Sequence, residues 1–452
     1  MDDGLLKRAM NRSVAEGALA TVMGTLTSGV FLTGFALELG ASRLQIGILA
    51  ALPALASLAQ LAGAYLIERS KECKRLCLLT SMTSRLLWLP IMMVPLIFAH
   101  WSTDLVWCTI AVFGMSGFFG AIGGVAWLVW IKELIPPSQQ VAFLGRRHLS
   151  NTGLSLIIGT VAAFGVDWSR RQGSVDVGFA SVFGLAASCG LIGLMILSRI
   201  PAPAPIAPNG GSFSQLLRRP LQDPDFRSLV AFYGIWNLGV HIAQPFLAVY
   251  MLQRIGLSFG YVSALTTFSS ILGLLTSNYW TRLCVEFGTK PVIFVATLAD
   301  ALIIVMWLFV TPQYHGLLVL LHCAGVFSAP LAMGPNNLLL RLTPQGNGAF
   351  YMAVFNSAIG AVTAVAAVSG GLLATVLDGW SLSLGGIDFG ALRLIFVISA
   401  LIRLASLPFL SRLIEPQATP VAQLLRVVHG GRGRQLSGAA ATVPVTQKAR
   451  AA

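Results

Sequence analysis

The sequence predicts an all-α, polytopic membrane protein in which twelve transmembrane helices form two pseudo-symmetric bundles of six. Three observations lead to this fold class. Hydrophobic residues make up 56% of the 452 residues and charged residues only 10%, whereas soluble domains carry about one quarter charged residues. The chain contains twelve apolar stretches long enough to cross a bilayer, and short patterns recur in its two halves. This composition argues against a soluble enzyme, a disordered chain and a nucleic-acid-binding protein.

The spans follow from length, because a transmembrane helix needs about 20 mostly apolar residues. The twelve stretches lie at 14–38, 43–67, 75–98, 104–131, 147–168, 175–199, 228–252, 258–281, 291–311, 314–340, 350–377 and 389–411. Alternating prolines and a glycine pair between the sixth and seventh stretches are typical of a linker. We therefore divide the chain into an N-terminus at 1–13, a first bundle at 14–199, a linker at 200–226, a second bundle at 227–411 and a basic tail at 412–452, which we expect to be disordered.

The basic residues predict the orientation. With the N-terminus inside, most of the 30 Lys and Arg residues fall in loops on the inner side. Those in the opposite loops are Arg43, Arg170, Arg171, Arg254 and Arg393. Cytoplasmic loops of membrane proteins carry an excess of Lys and Arg. We expect a multi-pass protein of the cell (inner) membrane with both termini in the cytoplasm, so the net charge of +13 needs no nucleic acid as a partner.

The six cysteines predict neither disulfides nor a metal site. None lies well inside an outer loop, where disulfides would form. Cys73 and Cys77 are four residues apart and could share a helix face, but two thiols without a nearby histidine make a poor zinc site. The sequence predicts no cofactor.

The two halves share a pattern at an offset of 216 residues. The segments LGASRLQIG at 39–47 and IGLSFGYVS at 255–263 place a glycine and a serine in register, and the same offset aligns Lys74 with Lys290. Two halves of the same orientation form a parallel repeat.

The twelve spans, the central linker and the LGAS…QIG entry to the second helix resemble the major facilitator superfamily, over residues 12–412. The loop after the second helix matches the family's motif only in part. Glu68-Arg69 lies near the position of the motif's acidic and basic pair, and a later glycine of the motif is missing. The resemblance implies a secondary active transporter that moves a small solute by alternating access, driven by a proton or solute gradient. We expect a monomer whose partners are the solute, the lipid bilayer and, as one candidate coupling ion, the proton.

Polar stripes on the first and seventh spans have the same spacing of i, i+4 and i+7, which places each stripe on one helix face. The first stripe is Thr21, Thr25 and Ser28; adding 216 to each number gives the second stripe, Asn237, His241 and Gln244. The resemblance implies that these six residues line the central cavity. The alternative is that they hold helices together within the protein.

His241 is a candidate for accepting a coupling proton, because histidine titrates near cellular pH. The alternative is a neutral imidazole bonded to Gln244 or to a backbone carbonyl. Trp127, near the inner end of the fourth span, is either an interfacial anchor or an aromatic platform for the solute. His322 and Asn336 share a face of the tenth span and are further cavity candidates.

Ionisable residues within spans are costly unless paired. Glu16 and Arg147 both lie near the inner side, where they could form a gating salt bridge; Glu16 is also a second candidate for proton coupling. Asp300 and Arg403 lie at similar depth and predict a structural pair. Arg85, also read as a structural charge, has no obvious partner in its own half and could snorkel, bind a substrate carboxylate or meet Asp300.

The sequence contains no nucleotide-binding loop and no hydrolytic constellation, so it predicts no catalytic residues and no enzyme. The rival to a transporter is a non-transporting protein on the same fold, such as a membrane assembly factor or a receptor.

Overall fold

The computed structural model describes residues 3–70, 72–91, 103–202, 220–342, 348–384, 387–413, 415 and 418–429. In the first half the helices are α1 (Asp3–Leu26), α2 (Gly29–Glu38), α3 (Arg43–Ser70), α4 (Cys73–Leu86), α5 (Thr103–Leu134), α6 (Pro137–Arg171) and α7 (Val175–Ser198). In the second half they are α8 (Pro224–Val249), α9 (Phe259–Phe287), α10 (Thr289–Met306), α11 (Leu317–His322), α12 (Ser328–Leu342), α13 (Gly348–Val376), α14 (Ala391–Arg412) and α15 (Val421–His429).

Within the described residues, 11 helices are long and apolar enough to cross a membrane. The third predicted span, 75–98, begins with α4 and runs into residues outside the described ranges. The fold is the all-α, two-bundle architecture predicted from the sequence.

Several helices extend beyond the predicted spans. Helix α1 begins at Asp3, where the sequence predicted a polar N-terminus up to residue 13, and α6 begins at Pro137, ten residues before the predicted start. Leu6 and Ala9 on the added part of α1 are buried, so packing within the first half extends the helix beyond the apolar stretch.

Three spans, one in the first half and two in the second, depart from a regular α-helix. The first span breaks at Thr27 and Ser28, and Gly29 follows with φ = 56°, a left-handed conformation that glycine adopts easily. The hydroxyls of Thr27 and Ser28 donate to the carbonyls of Met23 and Gly24, so they satisfy groups at the end of α1. In the seventh span, α8 contains Pro245 and passes into a π-helical turn over Tyr250–Arg254. A 3₁₀ turn over Cys323–Phe327 separates α11 from α12 in the tenth span.

The two halves repeat one packing scheme. Helix α1 packs on α7 in the first half, and α8 packs on α14 in the second. The halves join where α3 packs on α13 and where α6 packs on α9. Small residues allow the first of these contacts: a Cβ at Gly47 would lie 2.6 Å from the Ala367 carbonyl oxygen and 2.9 Å from Gly371 Cα.

Polar contacts join the halves at the end of the bundle where α3 and α9 begin. Arg43 pairs with Asp378 at 2.8 Å. The Asp167 carboxylate on α6 accepts the backbone N–H groups of Phe259 (2.8 Å) and Gly260 (2.6 Å) at the start of α9. We call this set of contacts, formed by Arg43, Asp167, Phe259, Gly260 and Asp378, the seam. An antiparallel hairpin of β1 (Ser381–Leu384) and β2 (Ile387–Gly390) leads into α14.

The chain after Arg412 departs from the expectation of disorder. Glu415 accepts the N–H groups of Thr289 (2.9 Å) and Lys290 (2.7 Å), so its carboxylate caps the start of α10. Helix α15 then packs on α10 with Leu424 fully buried. The polar and basic composition of the surrounding tail does not predict this short amphipathic helix. Residues 430–452 lie outside the described ranges.

Candidate functional site

A cavity of about 940 Å³ lies between the halves, at the level of the helix interruptions. Its wall includes both sides of the break between α1 and α2, the Pro245 region of α8, and His322 at the end of α11. Helices α3, α6, α9 and α13 complete it.

Six of the residues singled out in the sequence line this cavity. They are Thr21, Thr25, Ser28, His241, Gln244 and His322. Thr25 and Ser155 share a hydrogen bond between their hydroxyls at 2.8 Å, which ties α1 to α6 across the cavity wall. The Nδ1 atom of His322 lies 2.7 Å from the Leu318 carbonyl oxygen. In the neutral ring this contact makes Nδ1 the donor and leaves Nε2 as an acceptor.

Asn237 does not line the central cavity. It borders a separate cavity of about 530 Å³ inside the second half, together with residues of α10, α12 and α13. Its side-chain amide donates to the Tyr233 carbonyl oxygen at 2.7 Å. The residue lies one turn of α8 before His241, beyond the end of the central cavity, so equal spacing in the two stripes does not give equal surroundings.

Trp127 also lies outside the central cavity. It borders a small cavity of about 220 Å³ within the first half. The Arg147 guanidinium lies 4.0 Å from the centroid of its ring, in a cation–π contact. This position argues against Trp127 as a platform for the solute in the central cavity. The side chain of Asn336 lies outside the described part of the structure.

Glu16 is the centre of a buried charge cluster in the first half. One carboxylate oxygen accepts from Arg85 at 2.7 Å and the other accepts from Arg147 at 3.1 Å. Arg85 also donates to the Gly190 carbonyl oxygen on α7 at 2.7 Å. The Glu16 side chain is only 4% exposed, and the cluster holds α1, α4, α6 and α7 together.

This cluster corrects the prediction for Arg85, which has a partner in its own half and does not meet Asp300. The reason is the true start of α1. Because that helix begins at Asp3, Glu16 lies roughly 20 Å along the helix at 1.5 Å per residue. Glu16 therefore reaches the depth of Arg85, whereas the sequence analysis placed it one turn from the membrane surface.

The second half carries its own buried pair. Arg403 on α14 lies 2.9 Å from the Asp300 carboxylate on α10, and its side chain is 5% exposed. The indole of Trp236 on α8 also donates to Asp300, at 3.3 Å. Asp300 corresponds to Ser84 at the 216-residue offset, next to Arg85. The third span of each half, represented by α4 and α10, thus carries a buried charge in both clusters, positive at Arg85 and negative at Asp300.

Further polar residues of the cavity escaped the sequence analysis. Ser263, Thr266, Thr267 and Ser270 on α9 line the cavity, as does Ser155 on α6. The α9 residues recur every three or four positions, which is the signal that could have revealed a polar face. Among the described residues no cluster of three or more His, Cys, Asp or Glu could hold a metal ion.

Comparison with known proteins identifies the fold. No protein-family profile matches the chain, and no curated protein sequence matches it. Solved structures do match. A mutant of the nucleoside transporter NupG gives a TM-score of 0.70 at 11% identity, covering 90% of this chain and 100% of that one.

Two further structures match over a similar length. A bacterial homologue of the iron transporter ferroportin, in an inward-facing state, gives a TM-score of 0.64 at 13% identity and covers 90% of this chain and 98% of its own. A D-xylose-proton symporter gives 0.63 at 16% identity, with 91% and 98% covered. The chain is therefore a multi-pass membrane protein with the major facilitator fold.

Proposed function

We propose that the chain is a secondary active transporter that carries a small solute across the membrane by alternating access. The observation that supports this most is the cavity of about 940 Å³ between two halves that touch along the seam. Cavities of about 300–1,000 Å³ hold drug-sized ligands. The fold is shared with structures of a nucleoside transporter and a D-xylose-proton symporter.

The seam supplies one closed gate. The excess of Lys and Arg in the loops at the other end of the bundle favours an orientation with the seam at the outer face and both chain ends in the cytoplasm. The described conformation is then closed to the outside. Alternation requires the contacts of Asp167 and Arg43 to break while new contacts form at the cytoplasmic end. The interruptions in the first, seventh and tenth spans give the cavity-lining helices places to bend.

We further propose that a proton or solute gradient supplies the energy. His241 lines the cavity and is the candidate for a coupling proton, because solute and proton could then compete or cooperate at one place. Glu16 is held by two arginines within the first half, an arrangement that favours a structural role over release of a proton in each cycle.

The test is uptake by purified protein in liposomes, over a panel of sugars, nucleosides, amino acids and organic acids, with and without an imposed pH gradient. The double variant His241→Leu with Gln244→Leu should lose uptake while keeping the melting temperature. Ser181→Leu is the matched control, because Ser181 is exposed on α7, away from the cavity. An unimpaired double variant would contradict the proposal, as would a folded protein that moves no compound of the panel; both results would favour an assembly factor or a receptor.

A further inference from the structure

The wall of the central cavity is mainly apolar, and polar side chains are interspersed in it. Serine and threonine hydroxyls, one glutamine amide and two imidazoles supply its polar side chains. No Asp, Glu, Lys or Arg occurs among the described residues that line it. This composition differs from that of the two smaller cavities, which border Glu16 and Asp300 respectively.

The buried charges of the bundle are also engaged elsewhere. Glu16 is bonded to Arg85 and Arg147 within the first half, and Asp300 to Arg403 within the second. None of these five residues lines the central cavity. A cationic solute would therefore leave water without gaining an ionic partner, and an anionic solute would gain one only while an imidazole of the wall is protonated; desolvation of an unpaired ion is unfavourable.

The hydroxyl groups of the wall are well suited to a solute that both donates and accepts hydrogen bonds. Ser28, Thr266 and Ser270 donate their protons to backbone carbonyls. Each such oxygen keeps lone pairs that can accept from a ligand. His322 adds an acceptor at Nε2, and the Gln244 amide both donates and accepts.

These groups lie on both sides of the cavity. Thr25 and Ser155 belong to the first half, whereas Gln244, Thr266 and His322 belong to the second. A ligand with hydroxyls around its whole perimeter could bond to both halves at once. Such bonds differ between the conformations in which the halves approach and separate, which is the condition for a solute to drive the change.

We propose that the solute is an uncharged, polyhydroxylated molecule of the size class of a monosaccharide, a disaccharide or a nucleoside. This assignment rests on the proposed transport function and narrows it to one chemical class. It excludes organic acids, phosphorylated compounds and amines as the main solutes.

The test compares neutral compounds with analogues that carry one additional or substituted charged group. D-glucose is compared with D-glucuronate and D-glucosamine, uridine with uridine monophosphate, and the set is extended to other hexoses, pentoses, disaccharides and polyols. Binding to the purified protein in detergent is read from the rise in melting temperature, since a ligand of the folded state stabilises it by mass action. Uptake into liposomes is measured separately.

We expect at least one neutral compound to raise the melting temperature and its charged partner to bind on the order of 100-fold more weakly. Failure of every neutral compound to bind, or tighter binding of a charged partner, would overturn the assignment. A neutral compound that binds but is not taken up would preserve the solute class and contradict the transport function.

The variant Gln244→Glu provides an independent check, because it places a carboxylate in the cavity wall. It should improve binding of the cationic analogue relative to the neutral compound and weaken binding of the anionic one. Asn237→Asp is the matched control: it adds the same charge to α8 but in the separate cavity, so it should leave this preference unchanged. An equal change of preference in both variants would count against the assignment of the central cavity.

Discussion

Buried ionic contacts fix the depth at which helices pack in each half. Glu16 with Arg85 and Arg147 joins four helices of the first half, and Asp300 with Arg403 joins α10 to α14 in the second. Each contact is short, and Glu16, Arg85 and Arg403 are buried. The Asp300 side chain is 25% exposed, but loss of either carboxylate would still leave a buried guanidinium without its partner. We therefore interpret these residues as determinants of folding. None of them places its charge in the central cavity.

Replacement of Asp300 by alanine tests this role. The variant leaves the Arg403 guanidinium buried without its carboxylate, which costs about 3–5 kcal/mol. We expect a clear loss of folded yield and a lower melting temperature, with little change in transport per folded molecule. The double variant Asp300→Leu with Arg403→Met should recover much of the loss, because it removes both charges.

Asp378→Ala is the control for that experiment, because the Asp378 side chain in its pair with Arg43 is 65% exposed. An exposed pair contributes about 0–1 kcal/mol, so its melting temperature should change little. Loss of transport by Asp300→Ala at normal yield and melting would instead assign Asp300 to the transport cycle.

His241→Gln separates coupling from solute binding. Glutamine keeps hydrogen-bonding capacity at the cavity wall but cannot take up a proton. We expect solute exchange in the absence of a pH gradient to persist, whereas accumulation driven by a pH gradient should fall to the level of equilibration. His322→Gln is the matched comparison on α11. Normal accumulation by the His241 variant would exclude His241 as the proton acceptor.

At the scale of elements, apolar stretches predicted which segments are helical but not where those helices begin, end or break. The apolar composition of a span indicates which part of a helix faces lipid. Helices α1 and α6 extend beyond their apolar stretches. In α1 the added part is held by protein contacts, such as those of the buried Leu6. The break at Thr27 and Ser28 was also missed, since neither residue forbids a helix; it depends on the hydroxyl contacts and on the φ of Gly29.

The close packing of α3 on α13 predicts that a larger side chain at Gly47 favours opening of the bundle at the seam. In Gly47→Val the new side chain would meet the Ala367 carbonyl and Gly371 Cα. Overpacking costs about 1–3 kcal/mol, and the strain is relieved when the halves separate at the seam. We expect faster labelling of Thr33→Cys, a cavity position, by a membrane-impermeant maleimide from the seam side, in a background without native cysteines.

Gly165→Val controls for the added side chain, because no atom lies within 4 Å of a Cβ at Gly165. Its labelling rate should match that of the parent protein. Unchanged labelling in Gly47→Val would mean that the contact between α3 and α13 does not limit opening at the seam.

At the scale of the whole molecule, the sequence predicted the repeat of the two halves, because both keep a Gly and a Ser at the start of their second helix. The sequence predicted the lining of the central cavity only in part. His241 and Gln244 line it, but Asn237, one turn away on the same helix face, belongs to another cavity. Periodicity gives the face of a helix, whereas the end of a cavity depends on where the neighbouring helices close around it.

Asp167 links the conformations of the two halves, because a side chain of one half caps a helix of the other. Its carboxylate accepts two N–H groups at the start of α9 and is 5% exposed. Hydrogen bonds to charged groups contribute about 1.5–3 kcal/mol, and a negative charge at a helix N-terminus adds to this. In Asp167→Asn the charge is lost while the shape is kept, so the equilibrium should move toward opening at the seam by about tenfold or more.

The readout is again maleimide labelling of Thr33→Cys from the seam side, together with spin-label distances across the seam. Asp176→Asn, in the first turn of α7 at the same end of the bundle, should leave both measurements unchanged. If Asp167→Asn also leaves them unchanged, the cap does not hold the gate, and the other contacts between the halves, such as the packing of α3 on α13, must supply the closing free energy.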